Sequence, residues 1–279
     1  MADLNSDCQL NVYNFRTLLA GPPVRYGVLR FDPNNTCNLH CVYCHNHRSD
    51  EVIGADEFAE FLHSKVMGAA SFQIGCIMEP TLDKRLGDLM LLIANSPAKP
   101  AEDFILQTNG ILLHRHDAKK MSEAGLTRLS VSMDAADPET QKSLRGGMSL
   151  EKVVRNVAGF RRDCPKTSVE FIATVTSANI DKLETLVALG LDLGVQRFIF
   201  REMFYYPDNN VVDHSRMPGL LLRKGQFAEI TEKVLSRFGR EADLLFVPNE
   251  VLHESARTTI ENSKFVGREL GAAQLHTGE

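Results

Sequence analysis

At 279 residues, 43% hydrophobic and 24% charged, the chain is long enough for one large α/β domain or two small ones and has an ordinary globular composition. A formal net charge of -5 leaves no basic footprint for nucleic acid or an anionic membrane, so neither is an expected partner. No apolar run approaches the roughly 20 residues of a bilayer span, and residues 1–6 lack the basic region and apolar core of a signal peptide, so a cytoplasmic location is expected.

Residues 1–23 contain two prolines after Gly21 and show no clear period, and they read as a lead-in segment. From Val24 onward, strand-like and helix-like pieces alternate. Residues 24–31 read as a buried strand, and 55–68 as a helix with Phe58, Phe61, Leu62 and Val66 on one stripe. Strands at 71–76 and 104–107 precede helices near 82–95 and 115–124. Strands at 128–133 and 169–175 precede helices at 149–162 and 179–193, with Gly194 as a stop. A sixth strand at 197–201 leads to a helix near 225–238. Six such units predict a parallel α/β sheet with helices outside it, and fewer than eight predict an incomplete barrel. The expected organisation is a lead-in at 1–23, a barrel domain at 24–240 and a short C-terminal extension at 241–279. The polar end of that extension, from 254 onward, is expected to be helical or partly disordered.

Six cysteines are too few for a disulfide scaffold in a chain this long, and Cys37, Cys41 and Cys44 fall within eight residues directly after the first strand. Three thiolates leave a metal centre one ligand short. Structural zinc is usually closed by four protein ligands, whereas three hold a position open. A 4Fe-4S cluster normally takes four cysteines, so three would leave one iron free. His40, His45 and His47 stand beside the cysteines, and the spacing alone also admits a zinc site.

The strand ends carry further polar groups. Strand two runs into Cys76, Ile77, Met78, Glu79 and Pro80, and strand three into Thr108, Asn109 and Gly110, where Asn-Gly is also a common turn. Strand four runs into Ser132, Asp134, the Asp137-Pro138 pair of a helix start, and then Arg145-Gly146. Capping accounts for Asp137 but not for Ser132, Asp134 or Arg145. Strands five and six finish on Thr174 and on Arg201 and Glu202, the kind of polar group that barrel strands present to their top cleft.

Over residues 24–202 these features, in this order, resemble the radical S-adenosylmethionine (SAM) superfamily: a CxxxCxxC motif with Tyr43 before its third cysteine, following a strand. The Thr-Asn-Gly turn and the Ser-x-Asp … Arg-Gly stretch are similar to its molybdenum-cofactor and peptide-maturase branch. Glu79-Pro80-Thr81-Leu82 matches the family's Gly-Gly-Glu-Pro region, but Ile77 and Met78 replace both glycines. The resemblance implies a partial (β/α)6 TIM-like barrel with its cofactors at the C-terminal ends of the strands. It implies that Cys37, Cys41 and Cys44 hold a 4Fe-4S cluster whose open iron chelates S-adenosyl-L-methionine. By the same resemblance Met78 and Glu79 serve the methionine amino group, Ser132 and Asp134 the ribose or amino-acid part, and Arg145 the carboxylate. Tyr43, Asn109 and Thr174 complete the cofactor contacts, and Val195 lies near the adenine. The implied chemistry is reductive cleavage to a 5′-deoxyadenosyl radical that abstracts hydrogen from substrate, with a flavodoxin- or ferredoxin-like electron donor.

No cysteine follows Cys164, so the sequence shows no auxiliary cluster to accept an electron, and a redox-neutral outcome such as epimerisation is expected. Cys76 is the candidate hydrogen-atom donor, although a buried core thiol is an equal reading of the same residue. Residues 203–216 have no regular period and could cap a substrate, for which Arg201, Glu202 and Tyr205 are candidate contacts. The expected substrate is small and polar, a carbohydrate or natural-product intermediate. A ribosomal peptide is the alternative, although no leader-recognition module is evident at the N-terminus, and a non-catalytic zinc-binding interaction protein is the third reading.

Overall fold

The structure, a computed structural model, describes residues 7–249. Strands and helices alternate through it. The order is β1 (Cys8–Leu10), α1 (Phe15–Ala20), β2 (Val24–Phe31), α2 (Ala55–Ser64), β3 (Val66–Ile74), α3 (Leu86–Ala94), β4 (Pro100–Thr108) and α4 (Ala118–Glu123). The second half runs β5 (Arg128–Ser132), α5 (Pro138–Leu144), α6 (Leu150–Asp163), β6 (Ser168–Val175), α7 (Leu183–Asp192), β7 (Arg197–Glu202), α8 (Gln226–Phe238) and β8 (Asp243–Val247). The strands form one parallel sheet in sequence order, and among the described residues no pairing joins β8 back to β1. The sheet is therefore an open, partial barrel, as expected.

Alternation along the strands divides the molecule into an apolar outer layer and a polar lumen. Phe31, Phe72, Phe104, Phe171, Phe198 and Phe200 are fully buried between sheet and helices. The intervening positions carry Arg30, paired in register with Gln73, and Gln107, Ser130, Glu170 and Arg197, paired in register in turn; Gln73 joins the two sets by donating to Gln107 Oε1 at 3.1 Å. Apolar burial on the helix side supplies the main stabilisation, and the lumen is left for polar chemistry. Among the described residues no helix is long and apolar enough to cross a membrane.

Three expectations are corrected. Residues 8–10 of the expected lead-in pair with β2, and residues 243–247 of the expected extension pair with β7, so the sheet runs beyond both ends of the 24–240 span. The three residues of β1 give too little alternation to be read from sequence, and β8 is set by its pairing with β7. Val66 begins β3 and is not part of the α2 stripe, because the helix ends at Ser64 with Lys65 as its cap. The helix expected from residue 82 splits into a short 3₁₀ turn at Pro80–Leu82 and α3. The tail from residue 254 lies outside the described residues.

Packing between the two layers is tightest at Gly190 on α7, where an added Cβ would collide with the Phe198 ring and come within 3.3 Å of Phe171. Alanine at a helical glycine normally gains about 1 kcal/mol, but forcing a methyl into a packed core costs about 1–3 kcal/mol. The collision outweighs the propensity, so Gly190→Ala is expected to lower the melting temperature by about 2–6 °C. A higher melting temperature would show that α7 stands off the sheet.

Candidate active site

The cysteines sit on a long excursion between β2 and α2 that has almost no regular structure. It is closed by an isolated bridge between Asn34 and Val52 and by backbone bonds from Ser49 N to Asn35 O (2.9 Å) and Asn35 N to Glu51 O (3.0 Å). The asparagine side chains tie it down. Asn34 is buried, accepts from Thr36 N–H at 3.0 Å and donates to Glu79 O at 3.2 Å. Asn35 donates to Ser49 Oγ at 3.0 Å, and Arg48 donates to Cys37 O at 3.1 Å. A loop without a ladder of its own needs such bonds, since buried backbone and amide groups must be paired.

One carboxylate anchors this loop to the barrel. Asp134, just beyond β5, has no exposed surface. Arg145 meets it in a two-pronged pair, Nε to Oδ2 at 2.8 Å and Nη2 to Oδ1 at 2.7 Å. The Tyr43 hydroxyl donates to Oδ2, and Thr174 N–H donates to Oδ1 at 2.9 Å. The Arg145 guanidinium also lies 5.8 Å from the Tyr43 ring centroid. The next residue, Gly146, has φ +59°, and a Cβ there would strike the His40 backbone. The Arg-Gly pair thus has two separate tasks: the arginine balances Asp134, and the glycine lets the β5–α6 connection lie directly on the cysteine loop.

A second carboxylate organises the neighbouring strand ends. Glu79 is buried, and its Oε1 accepts from Thr81 N (3.0 Å), Thr81 Oγ1 (2.5 Å) and Thr108 Oγ1 (2.6 Å), while Oε2 accepts from Asn109 N at 2.7 Å. Burial raises its pKa, opposed by these hydrogen bonds. Asn109 in turn donates to Asn38 Oδ1 at 2.8 Å and accepts from Ile111 N–H at 3.0 Å.

Cys37, Cys41, Cys44, Cys76, Met78, Ser132, Thr174, Arg201 and Glu202 line one cavity of about 330 Å3 at the C-terminal ends of the strands. Glu79, Asn109, Tyr43 and Arg145 also reach its wall. Their polar atoms, however, are largely committed to the protein. Asp134 does not line the cavity, so the expected direct contact to a ribose is corrected: it is a sealed anchor for Arg145 and Tyr43. Glu79 and Asn109 do line the cavity, with the Glu79 carboxylate also engaged by Thr81, Thr108 and Asn109, and the Asn109 amide by Asn38 of the cysteine loop. Tyr205 turns to His214 Nδ1 at 2.9 Å and packs with the Met203 cluster, while its neighbours Phe204 and Tyr206 line the cavity instead. Val195 is buried before β7, at the opposite end of the strands from the cysteines, and is no adenine contact.

Asp32 escaped the sequence reading. It is 1% exposed, and its Oδ1 accepts from three successive N–H groups, Cys76 (3.0 Å), Ile77 (3.2 Å) and Met78 (3.1 Å). This carboxylate fixes the turn that glycines shape in the family pattern. Its only sequence signal is position: it directly follows an apolar strand and precedes the cysteine loop. A larger surface cleft of about 530 Å3, between α4 and α6, contains no cysteine and has no part in this chemistry.

All three motif cysteines are free thiols that open into the same cavity. Burial pushes Cys41 up to about 11 and raises Cys37, so as free groups they hold their protons at neutral pH. Metal coordination reverses this by taking up the thiolate. Among the described residues no group of His, Cys, Asp and Glu side chains is arranged to hold a single metal ion, and His45 lies against Tyr206 at 4.2 Å. The donor set, three free thiols on one loop beside a roomy cavity, fits an iron–sulfur cluster with one open position.

The family profile described as Radical SAM superfamily matches residues 32–190. The chain is 27% identical over 237 residues to a protein of Methanococcus aeolicus named "Probable GTP 3',8-cyclase", covering 83% of this chain and 69% of that one. A second protein of that name, from Methanococcus maripaludis, is 35% identical over 126 residues, 43% of this chain and 41% of its own. Among solved structures, Streptococcus suis SuiB bound to S-adenosylmethionine shares the fold with a TM-score of 0.59 at 15% identity, covering 81% of this chain and half of that one (50%).

If the Asp134 anchor positions the cysteine loop, Asp134→Asn leaves the Arg145 cation buried without its counter-charge, at a cost of about 3–5 kcal/mol. The expected result is a lower melting temperature and less iron bound per chain after anaerobic reconstitution. Wild-type iron content in the folded variant would show that the loop is positioned without it.

Proposed function

The chain belongs to the radical SAM superfamily, and from that premise we propose that its cavity abstracts hydrogen from a small polar substrate and returns it from Cys76, a redox-neutral outcome such as epimerisation. Cys37, Cys41 and Cys44 would hold the 4Fe-4S cluster, with S-adenosyl-L-methionine on the open iron. Once bound, the two would supply the electron and the hydrogen-abstracting equivalent.

The observation that carries the reading is the state of Cys76. It lines the same cavity as the three motif cysteines but stands on a different strand end, and Asp32 fixes its backbone. Burial, then the Asp32 charge, pushes its thiol up to about 11 against the opposing charges of Arg30 and Arg201. A hydrogen-atom donor must carry an S–H bond, and at neutral pH this group carries one. After donation, one electron and one proton restore the thiol, with a flavodoxin- or ferredoxin-like donor as the source. Phe204, Tyr206 and His45 form an aromatic flank, with Phe204 and Tyr206 4.4 Å apart, that would keep water from the reacting centre. Asn209 closes that flank onto the cysteine loop by donating to His45 O at 2.9 Å. Ser132 and Thr174 offer hydroxyls to a polar substrate.

A second reading follows the name of the relatives, under which the substrate is a purine nucleotide that is cyclised. The 27% identity over 237 residues favours it. The two readings differ in their product: one leaves the substrate's skeleton unaltered, while the other forms a new ring.

Anaerobically reconstituted protein with reductant and S-adenosylmethionine is expected to form 5′-deoxyadenosine, and Cys37→Ala to form none. Absence of this product from the wild type would overturn the reading. In D2O, the epimerised product is expected to gain one deuterium, and Cys76→Ala to yield no deuterated product. A ring-closed product from a purine nucleotide would favour the second reading.

A further inference from the structure

The charges along the barrel lumen balance in its lower layers but not at the cavity. Arg128 pairs with Asp103 at 3.0 Å and lies 3.8 Å from Glu170 Oε2. Arg197 lies 3.1 Å from that same oxygen and 3.4 Å from Asp243. The Arg197–Glu170 contact is close enough for an ion pair but misaligned for a hydrogen bond. Glu170 is buried and also accepts from the Ser130 hydroxyl, so it already serves its own layer. Arg30 reaches Asp7 at 3.5 Å.

Two same-face positions higher on β7, beyond Ile199, is Arg201. It lines the cavity with Cys76 and is in register with Thr174 of β6. Among the described residues it makes no hydrogen bond and no ion pair, whereas the other cavity arginines are engaged, Arg145 with Asp134 and Arg48 with Cys37 O. The charged and titratable groups that act on it are Cys76, Arg30 and Glu170. Burial lowers its pKa, and the like charge of Arg30 acts in the same direction, against Cys76 and Glu170. Arg201 is exposed toward the cavity opening and, beside another cation and without a carboxylate of its own, leaves its guanidinium available to an incoming anion. Its planar fork matches a carboxylate or phosphate in two hydrogen bonds.

Resting on the reading of this cavity as a radical SAM active site, we propose that the substrate carries an oxyanion, phosphate or carboxylate, seated on Arg201 with the Thr174 hydroxyl beside it. Held there, the adjoining carbon is presented to Cys76. Arg201 thereby selects anionic substrates over neutral sugars of the same size.

The test uses the reconstituted protein with its cluster oxidised and S-adenosylmethionine present. Inorganic phosphate is titrated by 31P NMR and acetate by 13C NMR, and the tighter probe names the class of oxyanion. Saturable binding of at least one probe is expected, weakened tenfold or more in Arg201→Gln and only a few-fold in Arg201→Lys, which keeps the charge but loses the fork. Should the glutamine variant not fold, the lysine variant decides, a few-fold loss supporting the assignment and unchanged affinity overturning it. It is also overturned if neither probe binds, if Arg201→Gln binds as the wild type does, or if that variant loses S-adenosylmethionine instead. Wild-type 5′-deoxyadenosine formation is scored in parallel. If it occurs while the anion result is negative, only the oxyanion assignment falls; if it does not occur, the reading of the cavity falls.

Discussion

Donors from three separate segments converge on the Asp134 carboxylate: Arg145 from the end of α5, the Tyr43 hydroxyl from the cysteine loop and the Thr174 N–H from β6. Burying an ion pair of this kind is expensive, several kcal/mol per ion, and on stability alone a packed apolar pair would often do as well. What the pair provides is position. The cysteine excursion has little secondary structure to fix it, and Asp134 sets where Tyr43, between Cys41 and Cys44, must lie. Gly146 then allows the backbones to touch, and Val42 N–H donates to Leu144 O at 2.9 Å.

The same logic repeats at two further carboxylates. Glu79 gathers the ends of β3 and β4, and Asp32 gathers the turn after β3. Each is buried, and each exchanges hydration for several hydrogen bonds from groups that would otherwise be unpaired. The cavity floor is therefore rigid, built of saturated anions, while the groups left to meet a ligand are the thiols, Ser132, Thr174 and Arg201. Stability comes from the phenylalanine-rich layer outside the sheet, which leaves the lumen free to carry charge.

The parallel α/β barrel could be read from sequence because six strand–helix units repeat with the right periods, and the cysteine triad because its spacing follows a strand. The co-lining of one cavity by Cys76, Ser132, Thr174 and Arg201 follows from the same rule, that strand ends face the top of a barrel. What could not be read was which polar residues face a ligand and which face one another. Asp134 and Glu79 carry the motif but spend their oxygens on the protein, a distinction that depends largely on distant contacts, 91 residues for Tyr43–Asp134 and 30 for Asn109–Glu79. Asp32 belongs to no motif, and nothing in its neighbours announces three converging N–H groups. Tyr205 and Tyr206 differ only in the direction each faces, which an aperiodic segment does not encode. The short edge strands β1 and β8 are fixed by pairing with β2 and β7 rather than by local pattern.

Everything above the cysteines depends on an iron left open for S-adenosyl-L-methionine. The most direct measurement is electron paramagnetic resonance of the anaerobically reconstituted, dithionite-reduced protein, recorded with and without S-adenosylmethionine. Three-cysteine ligation predicts the signal of a reduced 4Fe-4S cluster whose g values shift when the cofactor binds. A spectrum that does not change on addition, or a protein that takes up zinc and forms no cluster, would contradict it.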